Sequence, residues 1–145
     1  MKGTLLIINA ASGSAGAVSE EEVVAGLARA DFVVVKTIRL PDDELPDQAE
    51  VVASSASIIA ILSGDGTIAS LCQQMAGWDG DILVLPGGTM NLLSRRLHGE
   101  HTVAEILALL CETAAKAETI SVIQTPDSEV FTGLIAGPSA QWGEV

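Results

Sequence analysis

Apolar residues make up 48% of the 145-residue chain and charged residues 18%, enough hydrophobic material to close one core and too little charge to stay unfolded. The formal net charge of -12, from 7 basic against 19 acidic residues, leaves no cationic cluster beyond Arg95-Arg96, which excludes a surface tracking nucleic-acid phosphates. Cys72 and Cys111, the 2 cysteines, sit at apolar positions of predicted helices and read as reduced, buried thiols of a cytoplasmic protein, with neither a disulfide framework nor a zinc site.

Met1 to Ile8 has a superficial likeness to an export signal, but Asn9 and the small residues after it interrupt the apolar run too early. Leu5 to Ile8 instead reads as a short strand covered on both faces. It runs into a small-residue loop, Asn9 to Gly16, whose amides and hydroxyls suit an anion. Ser19 and Glu22 have the spacing of a capping box, opening a helix that carries Val23, Val24, Leu27 and Ala28 inward and stops near Ala30. Phe32 to Leu40 is the second strand. Pro41 to Asp47 is an acidic, proline-punctuated connector facing water, and Gln48 to Ala56 a short helix.

The apolar run from Ile58 stops at Ser63-Gly64-Asp65-Gly66-Thr67, where two glycines allow a sharp bend and a close ligand, and a helix follows from about Thr67 to Ala76. Gly77 to Gly80 is a turn. Asp81 to Leu85 is another buried strand, running into Pro86-Gly87-Gly88-Thr89-Met90-Asn91, after which Leu92, Leu93 and Leu97 resume helical spacing. Arg95 and Arg96 follow on that helix with a solvated face as the default for both, one of them within reach of a phosphate or lipid headgroup as the alternative. His98-Gly99-Glu100-His101 reads as a surface turn, since two histidines without a third partner do not make a metal site. Thr102 caps a helix with Val103, Ile106, Leu107, Leu110 and Cys111 as its inner stripe, and Glu118 to Thr125 and Val130 to Ala136 read as strands.

Alternating strands and helices imply an α/β fold with a mostly parallel sheet between helical layers, so successive strand C-termini share one edge. The three loops at Asn9 to Gly16, Ser63 to Thr67 and Pro86 to Asn91 therefore open on the same side. They offer amides and hydroxyls for phosphates and one central carboxylate, Asp65, suited to a magnesium-associated water or to taking a proton from a hydroxyl. No side-chain metal cluster is expected. The sequence has neither a Gly-x-x-x-x-Gly-Lys-Ser/Thr stretch nor a Gly-x-Gly-x-x-Gly after the first strand, which excludes a P-loop and disfavours a standard dinucleotide fold.

Gly64-Asp65-Gly66-Thr67, followed some twenty residues on by Pro86-Gly87-Gly88-Thr89-Met90-Asn91, resembles the catalytic domain of the diacylglycerol kinase family, lipid kinases that include sphingosine kinases and bacterial members. The family patterns are roughly Asn-Pro-x-Ser-Gly, Gly-Gly-Asp-Gly-Thr and Pro-x-Gly-Thr-x-Asn. The resemblance implies the NAD kinase/diacylglycerol kinase-like three-layer fold, Mg2+ and ATP as cofactors, a lipid hydroxyl as acceptor and phosphoryl transfer between them. It places Asn9, Ser12 and Gly13 around the nucleotide phosphates, Gly64, Gly66 and Thr67 beside a catalytic Asp65, and Gly88, Thr89 and Asn91 across from them. Ala10 stands in place of the family's proline, Ser63 in place of its first glycine, and Leu92 where many members carry an acidic residue.

A second, β-rich domain that supplies the lipid pocket and further magnesium ligands follows in this family. The expected division is therefore an α/β nucleotide-binding domain over 1–130, with 131–145 as the start of that second domain or its connector, the chain reading as cut short. Peripheral contact with the inner face of the membrane would fall to the missing domain. Two other readings stay open: a non-catalytic nucleotide-binding or regulatory module, and a small-molecule kinase of the NAD kinase type.

Overall fold

The computed structural model describes residues 1–113 and 115–120, and the backbone of 123–124 and 129–130. Four parallel strands form the central sheet: β1 (Lys2–Asn9), β2 (Phe32–Leu40), β3 (Ile58–Ser63) and β4 (Asp81–Pro86), in the order β2-β1-β3-β4. Among the described residues, five α-helices and a 3-10 turn (Ala15–Ala17) connect or follow them: α1 (Glu20–Arg29), α2 (Gln48–Ala53), α3 (Asp65–Gln74), α4 (Leu92–His98) and α5 (Val103–Glu112). Two short strands, β5 (Ile123–Gln124) and β6 (Glu129–Val130), pair antiparallel with each other and apart from the main sheet.

Alternation along the central strands explains their uninterrupted apolar runs. Leu6 and Ile8 of β1 and Ala60 and Leu62 of β3 join Val23 and Leu27 of α1 and Val103, Ile106 and Leu107 of α5 in one core. Leu5, Ile7, Ile59 and Ile61 face the other way and meet Val51, Ile68, Leu71 and Leu93 of α2, α3 and α4. Both faces are covered, so the strands are apolar nearly throughout, and the polar residues buried in them, Thr4 and Ser63, each keep a hydrogen-bond partner. The sheet's edges differ: Val33 and Val35 of β2 are exposed, and Ile82 and Leu83 of β4 are half-buried rather than buried as expected.

Two capping boxes fix helix starts. Glu22 N donates to Ser19 Oγ (3.2 Å) while Ser19 N donates to Glu22 Oε2 (2.9 Å); Thr102 and Glu105 repeat the pattern at α5. Both carboxyls are held below the usual glutamate range, first by the backbone amide each accepts and then by the capping hydroxyl. α1 and α5 approach closely at Gly26, where an added Cβ would lie 2.6 Å from Leu107 Cδ1.

Several expectations shift. Ala28 is exposed and Gly26 takes its place inside, because the inward stripe follows Leu107 of α5. Cys111 is exposed, lying past the end of the α5 stripe with its thiol on the Leu107 carbonyl, whereas Cys72 is half-buried and its thiol is pushed up by burial. α2 ends at Ala53 rather than Ala56, since the Ser54 hydroxyl donates back to Val51 O and Ser55 turns to a φ of 60°. Residues 118–120 have no regular structure; of the strand expected over 118–125, β5 is described as strand, and 121, 122 and 125 lie outside the described residues. The remainder of the second expected strand, 131–136, and the stretch 137–145 lie outside the described residues.

Candidate functional site

Parallel register brings the strand ends together. Ile8 pairs with Leu62, Leu62 with Leu85 and Ser63 with Pro86, so β1, β3 and β4 release their loops at one edge. The structure brings Asn9, Ser12, Gly13, Gly64, Asp65, Gly66, Thr67, Gly88, Thr89 and Asn91 to this edge, where the loops interlock.

The first loop is tied to both others. Asn9 Nδ2 donates to Thr67 Oγ1 (3.3 Å), and Asn9 Oδ1 accepts from Ala11 N (3.2 Å). The hydroxyls of Ser12 and Ser63 lie 3.3 Å apart. Ser14 Oγ donates to Gly88 O (3.1 Å), while Ser14 N and Ala15 N both donate to Gly87 O (3.1 and 3.0 Å). Gly13 packs so tightly that a Cβ there would sit 3.1 Å from Gly88 C and Thr89 N. Ser63, replacing the family's first glycine, is the fully buried last residue of β3, and its hydroxyl shares a hydrogen bond with that of Ser12. The loop therefore accommodates that Cβ.

The second loop is shorter than the sequence suggests. α3 starts at Asp65, with Gly64 as its extended N-cap (φ -81°, ψ 166°), so Gly64 to Thr67 are a cap and first turn rather than a connector. A carboxylate in that turn opposes the helix dipole, and the flanking glycines concealed the helix start. Gly64 has no side chain to cap with, so the first-turn amides of Asp65, Gly66 and Thr67 lack the acceptor a serine or aspartate would supply. Beside Gly66 the space is open: an added Cβ would meet nothing within 4 Å. Free amides at the end of a ten-residue helix, with open space beside Gly66, fit a phosphate group.

Asp65 reaches across to the third loop. Leu92 N donates to its Oδ2 (3.1 Å) and Leu93 N to its Oδ1 (3.3 Å), so the carboxylate closes the N-terminus of α4. Each oxygen keeps a second lone pair, which leaves capacity for a magnesium ion or a hydroxyl. Leu92, in place of an acidic residue, contributes its amide here and exposes its side chain. Asn91, the N-cap of α4, makes no capping bond and folds back on Gly88 instead: Gly88 N donates to its Oδ1 (2.8 Å), and its Nδ2 donates to Gly88 O (2.9 Å).

Ser14, Ser63 and Gly87 complete this network without having been singled out as site residues. The run of small residues after β1 was the only signal for Ser14; the carbonyl role of Gly87 has none in sequence. Among the described residues, no group of three or more His, Cys, Asp or Glu could hold a metal ion. His98 is half-buried rather than a surface residue, with Nε2 on Val84 O (3.0 Å), and burial lowers its pKa despite that hydrogen bond. Arg95 is exposed, 3.8 Å from Glu100.

The model of the Diacylglycerol kinase catalytic domain matches residues 3–124, which include all three loops. Among curated proteins, none matches the chain.

Proposed function

The chain belongs to the diacylglycerol kinase catalytic domain family, a family of kinases, and from that premise we propose that it is the nucleotide-binding half of an ATP-dependent lipid kinase. The observation that carries this reading is the uncapped first turn of α3, opening beside Gly66 at the edge shared by three glycine-containing loops. In this reading the amides of Asp65, Gly66 and Thr67 bind the nucleotide phosphates, with Gly13 and Thr89 close by. Bound Mg-ATP supplies the phosphoryl group, and Asp65 holds the ion or orients the acceptor hydroxyl with the lone pairs that α4 leaves free.

Residues 1–130 then form the nucleotide domain, and 131–145 lead toward a β-rich acceptor domain that carries the lipid pocket and further magnesium ligands. Work at the inner face of the membrane falls to that domain; among the described residues no helix is long and apolar enough to cross a bilayer. Titration calorimetry with Mg-ATP, Mg-ADP and NAD tests the reading. The adenine nucleotides should bind and NAD should bind more weakly, because no acidic ribose-reading residue follows a dinucleotide fingerprint. Tighter binding of NAD would overturn it.

A further inference from the structure

We propose that Asn91 is a positioning residue that shapes the nucleotide site from behind without touching the nucleotide, an inference that rests on the functional reading above. The residue-by-residue resemblance makes Asn91 a ligand contact. Its geometry points elsewhere, because both polar atoms of the side chain turn back onto a single glycine.

Gly88 is the place where the three loops meet. Its carbonyl accepts from Ser14 Oγ of the first loop (3.1 Å) as well as from Asn91 Nδ2 (2.9 Å). Its Cα lies against Gly64 of the second loop, so closely that a Cβ on Gly88 would stand 2.6 Å from Gly64 Cα. Gly64 is the N-cap of α3, and its position sets where the free first-turn amides point. Asn91 therefore fixes the peptide on which the entrance to α3 rests.

The backbone of Asn91 serves the same end. It adopts φ 52° and ψ 42°, the left-handed region that asparagine tolerates better than most residues. An ordinary N-cap is extended and turns its side chain forward onto its own helix. Here the chain turns the other way, Asn91 reaches back to Gly88, and Asp65 caps α4 from the neighbouring loop. The two residues exchange the customary task, and the exchange locks the β4 loop onto the start of α3.

The test uses Asn91→Gly, which keeps the left-handed backbone accessible and removes both hydrogen bonds, with Asn91→Asp as the conservative partner that keeps the acceptor for Gly88 N. Amide exchange by NMR should show Gly88 losing protection in Asn91→Gly and regaining it in Asn91→Asp. Calorimetry on folded Asn91→Gly with tripolyphosphate, ADP and ATP should show all three weakened by one common factor, about tenfold for the loss of a hydrogen-bonded clamp. A loss confined to ADP and ATP would mean that Asn91 touches the nucleoside, and a loss confined to ATP and tripolyphosphate that it touches the terminal phosphate; either overturns the proposal. Unchanged Gly88 protection, or unchanged affinity for all three ligands, overturns it too. A native chain that binds none of them defeats the functional reading itself, a result distinct from a selective loss in the variant.

Discussion

The two ends of the sheet are built on opposite terms. At the C-terminal edge, polar side chains and glycines from three loops are bound to one another, and backbone amides are left facing outward. At the N-terminal edge, a groove of about 490 Å³ opens between β4, α4 and α5, lined by apolar residues such as Phe32, Ile58, Leu83 and Ile106. The groove is the more open cavity, yet the two lysines on its lining, Lys2 and Lys116, are matched by two carboxylates, Asp81 and Glu118, so no surplus of positive charge faces an anion there. Concavity and chemistry are separate properties: the interlocked edge holds an uncapped helix start, while the groove is a margin of the core.

If that division is right, substitutions at the two ends should fail in different ways. The largest effect is expected at Asp65. Under the proposed function, Asp65→Asn should lower turnover by ~100-fold to 10,000-fold, the carboxylate serving the reacting hydroxyl or the metal, while the protein still folds. Near-normal turnover in a lipid phosphorylation assay would reduce Asp65 to a cap for α4. At the other end, Ile106→Ala removes a side chain 2% exposed and should cost about 2–5 kcal/mol of stability by denaturant titration. Nucleotide affinity of the folded fraction should not change; a weakened Kd would join the two ends functionally.

A glycine pair within the interlocked edge gives a finer contrast. Gly88→Ala forces a Cβ to 2.6 Å from Gly64 Cα and should cost about 1–3 kcal/mol together with nucleotide affinity. Gly66→Ala meets no neighbour and exchanges a poor helix former for a good one, so the protein should be unharmed or gain up to about 1 kcal/mol. Its nucleotide affinity should nevertheless fall by about tenfold, because the methyl group occupies the space before the free amides. Calorimetry and thermal melts on both variants separate the outcomes; an unaffected Kd in Gly66→Ala would move the phosphates away from α3.

Acid should act most weakly, and through the caps and the groove. His98 is held below its ordinary range by burial, so the unfolded chain binds its proton first, and the stability it confers is full above that range and declines as pH falls through it. Glu22 and Glu105 have the same sign at lower pH: their contribution is full above the usual carboxyl range and is lost as pH falls through their depressed values. Protonation also relieves the net charge of -12, which opposes both losses, so the comparison has to be made against a variant. Thermal melts from pH 8 to pH 5 should fall less for His98→Gln than for the native chain; identical slopes would remove His98 from the account.

Much of the fold was legible because it depends on neighbours in sequence. The apolar run at Leu5 to Ile8 announces a strand covered on both sides, and Ser19 with Glu22 announces a helix start, since both signals lie within a few residues. The convergence of the three loops followed from strand direction alone. The rest depends on contacts between distant residues. Nothing near Asp65 indicates that its carboxylate caps a helix 27 positions later, or that Asn91 is thereby released to turn back on Gly88. The start of α3 was misplaced for a local reason, because two glycines around an aspartate look like a turn until Gly64 is seen extended at the helix end. Cys111 and Ala28 were misjudged because a stripe's width is set by the opposing helix, and Gly26 against Leu107 decides it.

Nucleotide phosphates resting on the first turn of α3 would perturb its amides, and amide NMR during titration with Mg-ADP reads that perturbation residue by residue. The largest shifts are expected at Asp65, Gly66 and Thr67, smaller ones at Gly13 and Thr89, and none at Leu83 or Ile106. Saturable shifts centred on Leu83 and Ile106, with the α3 amides unmoved, would place the ligand in the groove and contradict phosphate binding at α3.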